Sequence, residues 1–273
     1  DSIEVVAVAL LNSYANPVHE QEVRDWLREA GISSISLSTD LTSAIRLLPR
    51  AETATANAYL SPVMDSFVAA ISRGMNSGSV ELLTSGGGLK DAADYRPIDS
   101  LLSGPAGGVR GAMEVARSAG YDKVISFDMG GTSSDISRIN GAPILRYEQK
   151  IGPARVAAPS IKIETVAAGG GSICQWSGGA LAVGPESAGA DPGPACYGKG
   201  GPLTVTDVNL LLGLMDPTRA GIPLDVEAAW ARLHELQSQM EHDGVSPGSE
   251  QQLLEGLREI AIERMAEAIR KVS

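Results

Sequence analysis

The segment Phe127-Asp128-Met129-Gly130-Gly131-Thr132-Ser133-Ser134-Asp135 continues the apolar run VISF. Two adjacent glycines in a hairpin turn let consecutive backbone N–H groups converge on an anion, and the Thr132 and Ser133 hydroxyls add donors. Asp128, at the end of the strand, cannot hold phosphate directly. Its carboxylate makes sense beside a divalent cation held through water, which suits Mg²⁺ and its reluctance to shed its hydration shell. A plain hairpin with Gly-Gly in its turn explains the glycines, but it leaves the strand-end acid and the paired hydroxyls without a purpose.

Other chemistries are poorly supported. There is no G-x-x-x-x-G-K-[ST] element, and no glycine-rich turn opens a helix with an acid placed for a ribose. PVHEQEV begins like a zinc-protease motif, but Val23 stands where the second histidine would be, which leaves His19 as a surface residue of a helix start. The two cysteines, Cys174 and Cys196, lie in unlike contexts and fit a reducing compartment better than a disulfide framework. Cys196 as a nucleophile lacks a histidine nearby in sequence, so a structural thiol is the simpler reading. The net charge of -11, with no cluster of Lys and Arg, argues against a nucleic-acid partner, and no apolar run is long enough to cross a membrane.

The elements that must position the hairpin read as α/β. With 273 residues, 43% of them hydrophobic and only 4% aromatic, the core must be built from Ala, Val, Leu and Ile. EVVAVALLNSY, PVHEQEVRDWLREAG and SSISLST read as strand, helix and parallel strand, with Pro17 and Gly31 marking the helix ends. Residues 49–75 read as one helix or two, depending on Pro62. SVELLTSGGG reads as a strand entering a glycine loop. A helix follows, with Ser103 as candidate N-cap and Pro105 in its first turn. Gly104, Gly108, Gly111, Val115 and Ala119 give that helix one smooth face, which predicts close approach by a neighbour, because each glycine costs about 1 kcal/mol against alanine. Two strands flank the Gly130-Gly131 turn and a third follows; a later pair turns at Ser177, Gly178 and Gly179. Beyond a Gly/Pro-rich loop, a helix capped by Thr206 with Asn209 at N3 is expected. Two amphipathic helices, about 225–240 and 249–272, close the chain.

Asp128 to Asp135 resembles the second phosphate motif of actin-like and sugar-kinase-like ATPases, in the form used by the hydantoinase/oxoprolinase family. Matching blocks run through ALLNSYANPVHE, RAETATANAYLSP, LLSGPAGGVRGA, AAGGGSI and VGPESAGADPGPACYGKGGPLTVTDVNLLLG. The resemblance implies an actin-like (ribonuclease H-like) ATPase lobe with a mixed sheet flanked by helices, residues 51–273, preceded by the end of another lobe, residues 1–50. It implies ATP and Mg²⁺ as cofactors and an activity that opens cyclic amides of the hydantoin or 5-oxoproline type. A cytoplasmic location and a partner of the hydantoinase B type come with it. An ATP-dependent ketone carboxylase subunit and a non-catalytic actin-like ATPase module are the alternative readings.

Residue by residue, Asp128, Gly130, Gly131, Thr132 and Ser133 match the phosphate and Mg²⁺ motif, and Asp135 matches its closing acid, which as a brace would serve the hairpin alone. Gly169, Gly170, Gly171 and Ser172 match a second glycine-rich element resembling a cleft-lining loop, with a tight strand crossing as the competing reading. Asp191, Gly193, Pro194, Cys196 and Tyr197 match a rigid loop, and Thr206, Asp207 and Asn209 the helix start after it. The family's first phosphate motif and its adenosine-binding glycine stretch have no counterpart here. The expectation is therefore a chain that supplies about half of a nucleotide cleft and is inactive alone.

Overall fold

The computed structural model describes residues 3–75, 78–152 and 154–273. The chain divides into two compact units, residues 1–124 with 139–162, and residues 125–138 with 163–273.

In the first unit, β1 (Val5–Val8) and β2 (Ser34–Leu37) pair in parallel around α1 (Val18–Glu29), the expected β-α-β arrangement. The short α2 (Ser38–Leu41) leads to α3 (Leu47–Gly74), a single helix that continues through Pro62. A polar edge of α3 ties the unit together. Thr53 Oγ1 accepts the Ala157 N–H at 2.9 Å, and Asn57 donates to Ser36 Oγ at 2.9 Å while accepting the Ile98 N–H at 3.0 Å. Arg50, fully buried on the same edge, donates to Ser38 Oγ at 2.7 Å, to Ser13 Oγ, and to the carbonyls of Leu10 and Leu11 at 2.6 and 2.9 Å. Its Nη1 lies 3.5 Å from Glu20 Oε1. The helix that makes these contacts runs through residue 50 without a break.

The glycine loop at 86–88 joins two antiparallel strands, β3 (Glu81–Leu83) and β4 (Leu89–Asp91), rather than leading from one strand into a helix. Helix α4 (Ser103–Ser118) starts one residue earlier than expected: Ser103 lies inside it and no side chain caps it. The buried face of α4 is Ala106, Val109 and Met113. Gly104, Gly108, Gly111, Val115 and Ala119 are exposed instead, and a Cβ added at Gly104 or Gly111 would touch nothing within 4 Å. The small-residue face is thus open, and the crowding inferred from its pattern is absent because small residues satisfy solvent as readily as a close neighbour. Gly111→Ala is accordingly expected to stabilise the protein by about 0.5–1 kcal/mol through helix propensity, read as a rise in denaturation midpoint at constant m.

Strands β5 (Lys123–Met129) and β6 (Ser134–Asn140) follow, and β6 also pairs with β7 (Ala142–Pro143). The third strand expected after the hairpin is broken into β8 (Leu145–Arg146) and β9 (Gln149–Ile151), which pair with β11 (Ser160–Ile161) and β10 (Ala154–Val156) respectively.

In the second unit β12 (Glu164–Val166) joins β6 antiparallel, giving the order β12-β6-β5. Strand β5 pairs with β6 alone among the described residues and turns Ile125, Phe127 and Met129 outward. Strands β13 (Ser172–Ser177) and β14 (Ala180–Ser187) form a hairpin whose turn glycines, Gly178 and Gly179, take φ of 61° and 79°, a region open to glycine at little cost. Helices α5 (Val205–Leu211), α6 (Val226–His242) and α7 (Glu250–Val272) complete the unit. The last two start where their caps lie, with Asp225 accepting the Ala228 N–H and Ser249 in a capping box with Gln252. The core gathers Val183, Val208, Leu233, Leu254 and Leu257. The expected mixed sheet is not formed as one sheet: among the described residues there is a parallel pair and a set of small antiparallel sheets.

Candidate active site

The turn between β5 and β6 is closed by the Gly130 N–H donating to the Ser133 carbonyl at 2.9 Å. Beneath it runs the 169–171 loop. The N–H of Gly170 donates to the Gly130 carbonyl at 3.0 Å, and that of Gly171 to the Gly131 carbonyl. A trans peptide is planar with its N–H and C=O antiparallel. Fixing the carbonyls of Gly130 and Gly131 toward the loop therefore aims the N–H groups of Gly131 and Thr132 away from it. These N–H groups and that of Ser133 have no acceptor among the described residues. Gly131 and Thr132 thus present a pair of outward donors beside two hydroxyls, suited to an anion.

The glycine triplet is required by contact rather than by torsion. A Cβ at Gly169 would lie 2.8 Å from Gly130 O, Ser133 N and Thr132 C, and one at Gly171 would lie 2.9 Å from Gly131 O. At Gly170 it would meet Thr206 Oγ1 at 2.9 Å. The loop spends its own donors internally: the Gly169 N–H goes to Ser172 Oγ at 2.9 Å and the Ser172 N–H to the Gly169 carbonyl at 3.1 Å. Ser172 is fully buried. Gly169, Gly170, Gly171 and Ser172 thus shape the hairpin from below, and none of their N–H groups remains for a ligand.

Asp128 is exposed and makes no ion pair or hydrogen bond among the described residues. Asp135 accepts the Thr165 hydroxyl at 2.6 Å from the facing position on β12, which makes it a brace of the strand pair. Among the described residues no three His, Cys, Asp or Glu side chains gather to hold a metal. A lone, unpaired carboxylate beside an anion cradle fits Mg²⁺ held through water and phosphate oxygens, and does not fit a protein-only cage.

Sequence reading missed how the hairpin is supported from farther along the chain. Helix α5 is capped by Thr204, not Thr206, in a box with Asp207 at N3, and Asn209 lies deeper in the helix. Thr206 instead donates both its N–H and its hydroxyl to the Gly170 carbonyl at 2.8 Å. Asp207, fully buried, accepts the N–H groups of Ala195, Cys196 and Thr204 and the Thr204 hydroxyl, at 2.8 to 3.1 Å. One carboxylate therefore holds the 191–198 loop and starts the helix that grips the glycine triplet. The Ala195 N–H also reaches the Pro202 carbonyl at 3.0 Å, so Asp207→Ala would strand the Cys196 and Thr204 N–H groups and the Thr204 hydroxyl, and a loss of about 3 kcal/mol or more is expected, seen as a lower midpoint in urea unfolding. Cys174 and Cys196 are free and buried. Burial, with the Asp207 carboxylate beside it, pushes the Cys196 thiol up to about 12, which leaves it no thiolate for nucleophilic work near neutrality. Burial pushes Cys174 up as well.

The Hydantoinase/oxoprolinase family profile matches residues 50–273, and the chain belongs to that family. The 5-oxoprolinase of Saccharomyces cerevisiae is 39% identical over 99% of this chain, which spans 22% of that protein. The caprolactamase subunit alpha of Pseudomonas jessenii is 38% identical over 78% of this chain and 32% of its own length. The crystal structure of the ATP-dependent caprolactamase from that organism matches with a TM-score of 0.79 and 33% identity, over 99% of this chain and 40% of the other. Acetone carboxylase in its nucleotide-free form, at 23% identity, shares the fold with a TM-score of 0.80 over 98% of this chain and 39% of the other. The chain thus spans less than half the length of each of these relatives.

Proposed function

We propose that this chain is part of an ATP-dependent hydrolase that opens cyclic amides of the hydantoin or 5-oxoproline type, and that it supplies one side of the ATP and Mg²⁺ cleft. The observation that carries the proposal is the hairpin whose carbonyls are held inward by Gly170 and Gly171 while the N–H groups of Gly131 and Thr132 face outward and the unpaired Asp128 is exposed. When bound, ATP would supply the phosphoryl group that turns the amide oxygen into a leaving group for water to displace. The N–H groups of Gly131 and Thr132 would hold the phosphate oxygens, with the Thr132 and Ser133 hydroxyls beside them, and the two N–H groups need no rearrangement as charge shifts on them. Asp128 would accept hydrogen bonds from waters on Mg²⁺ and so hold the ion against the phosphates.

In this reading residues 51–273 belong to an actin-like lobe and residues 1–50 to the end of a preceding one. The opposing hairpin and the adenosine pocket lie elsewhere in a longer polypeptide. A partner of the hydantoinase B type, consistent with the name of the caprolactamase relative, supplies part of the substrate chemistry, and the assembly works in the cytoplasm. No described helix is long and apolar enough to cross a membrane. The test is ADP release by the complete polypeptide with Mg²⁺, alone and with hydantoin, 5-oxoproline, caprolactam, or acetone plus bicarbonate. Stimulation by a cyclic amide is expected. Stimulation by the ketone alone would favour carboxylation, and no nucleotide turnover with any of them would overturn the proposal.

A further inference from the structure

The sequence offers no reason to associate Ser187 with residue 132, which lies 55 positions earlier, yet the fold brings the two hydroxyls together. Ser187 Oγ lies 3.5 Å from Thr132 Oγ1. Its place is fixed from three sides. In the β13–β14 ladder Ser187 is the partner of Ser172, the residue that closes the glycine triplet. The next N–H, that of Ala188, donates to the Gly171 carbonyl at 2.9 Å. The N–H of Gly189 donates to Ser187 Oγ at 3.2 Å. With a lone pair taken by Gly189, the Ser187 hydroxyl has its proton left to give.

Two hydroxyls 3.5 Å apart are too distant for a strong mutual bond. They are well spaced to donate to one shared oxygen, since each O–H···O contact needs about 2.7–2.8 Å. Thr132 is one of the two hairpin residues whose N–H faces outward, so the shared oxygen belongs where an anion would rest. We infer that Ser187 is a phosphate-contacting residue, donating with Thr132 to a single oxygen of a phosphate held by the hairpin. This rests on the function proposed above. It assigns a nucleotide-contacting role to the end of β14.

The experiment measures binding of ATP with Mg²⁺, and of adenosine, to the complete polypeptide and its Ser187→Ala, Ser187→Thr and Asp128→Asn variants. A hydrogen bond to a charged group makes the expected loss for Ser187→Ala about ten- to hundred-fold in ATP affinity. Adenosine affinity and melting temperature should stay unchanged, and Ser187→Thr should recover most of the loss. A Thr132→Ala, Ser187→Ala pair should lose less than the sum of the singles, because both act on one oxygen. If Asp128→Asn stops turnover while Ser187→Ala binds ATP as the parent does, the inference fails and the proposed function stands. Equal losses for ATP and adenosine, or a lowered melting temperature, would make Ser187 a structural residue and also overturn it. A parent protein that binds no ATP overturns both.

Discussion

Asp128→Asn is expected to reduce ATP turnover of the complete polypeptide by at least about 10²-fold, the scale of removing a single preorganised electrostatic contact, while leaving its stability almost untouched. The two expectations have separate grounds. The side chain is exposed and has no partner among the described residues, so exchanging it for an amide of equal size should stay within about 0.5 kcal/mol. For a protein of this size that corresponds to a shift of about 1–2 °C in melting temperature. The chemistry is affected because waters on Mg²⁺ present hydrogen, and a neutral amide offers them one weak acceptor and a repelling NH₂ group. Asp135→Asn is the matched control. Its neighbour Thr165 donates to Oδ1, and an amide oxygen can still accept that bond. Turnover close to that of the parent in the Asp128 variant would remove this residue from any metal-linked role.

The largest effect on stability is expected at Arg50. Both it and Glu20 are fully buried, and their Nη1 and Oε1 atoms are 3.5 Å apart. The pair is held mainly by what surrounds it. Glu20 accepts from the N–H groups of Leu10 and Thr39 at 2.9 and 3.1 Å, from the Ser38 and Thr39 hydroxyls at 2.7 and 3.0 Å, and from Ser13. The Tyr14 ring lies 5.9 Å from the guanidinium. Arg50→Ala removes the only cation of the cluster among the described residues and leaves a buried carboxylate without it, for which about 3–5 kcal/mol is expected. Urea unfolding should show this as a lowered midpoint. The same cluster has an acid limit. Burial alone would raise the Glu20 carboxyl, but the hydrogen bonds from Ser13, Ser38, Leu10 and Thr39 outweigh it and hold the group below its ordinary value. A depressed carboxylate contributes fully above its unfolded pKa of 4.5 and loses that contribution as pH falls through the lower folded value. Acid unfolding of the parent should therefore take up a proton at Glu20, and Glu20→Gln should show a shallower dependence below pH 4.5.

Local signals are the legible ones. The turn glycines at 178 and 179 and the caps Asp225 and Ser249 act within a few residues of themselves, and each marks the boundary the structure has. Features that depend on distant neighbours escape the sequence. Thr206 reads as the cap from its immediate neighbours, but the cap is Thr204, in a box with an Asp207 that also lies under the 195–196 backbone. The small-residue face of α4 reads as crowded because spacing cannot tell a packed face from an open one. The same holds at the site. The phosphate-type hairpin is legible in its own residues, whereas the inward pinning of its carbonyls and the approach of Ser187 are products of pairing across about 40 to 55 positions. The triplet at 169–171 is legible as glycine, but whether it lines a cleft or braces a turn is decided only by where its N–H groups point.

The outward side of β5 has a consequence for crowded solutions. Ile125, Phe127 and Met129 are 41%, 44% and 40% exposed on one strand, and that strand pairs with β6 alone among the described residues. A strand edge bearing an apolar face is a template for another copy. At neutral pH the charge of -11 keeps copies apart, and added salt weakens that repulsion within about 8–10 Å. Near the isoelectric point of about 4.8 the repulsion vanishes while the apolar strip remains. Turbidity of this polypeptide is thus expected to rise with added salt and toward that pH, and to fall when Phe127 is replaced by a charged residue.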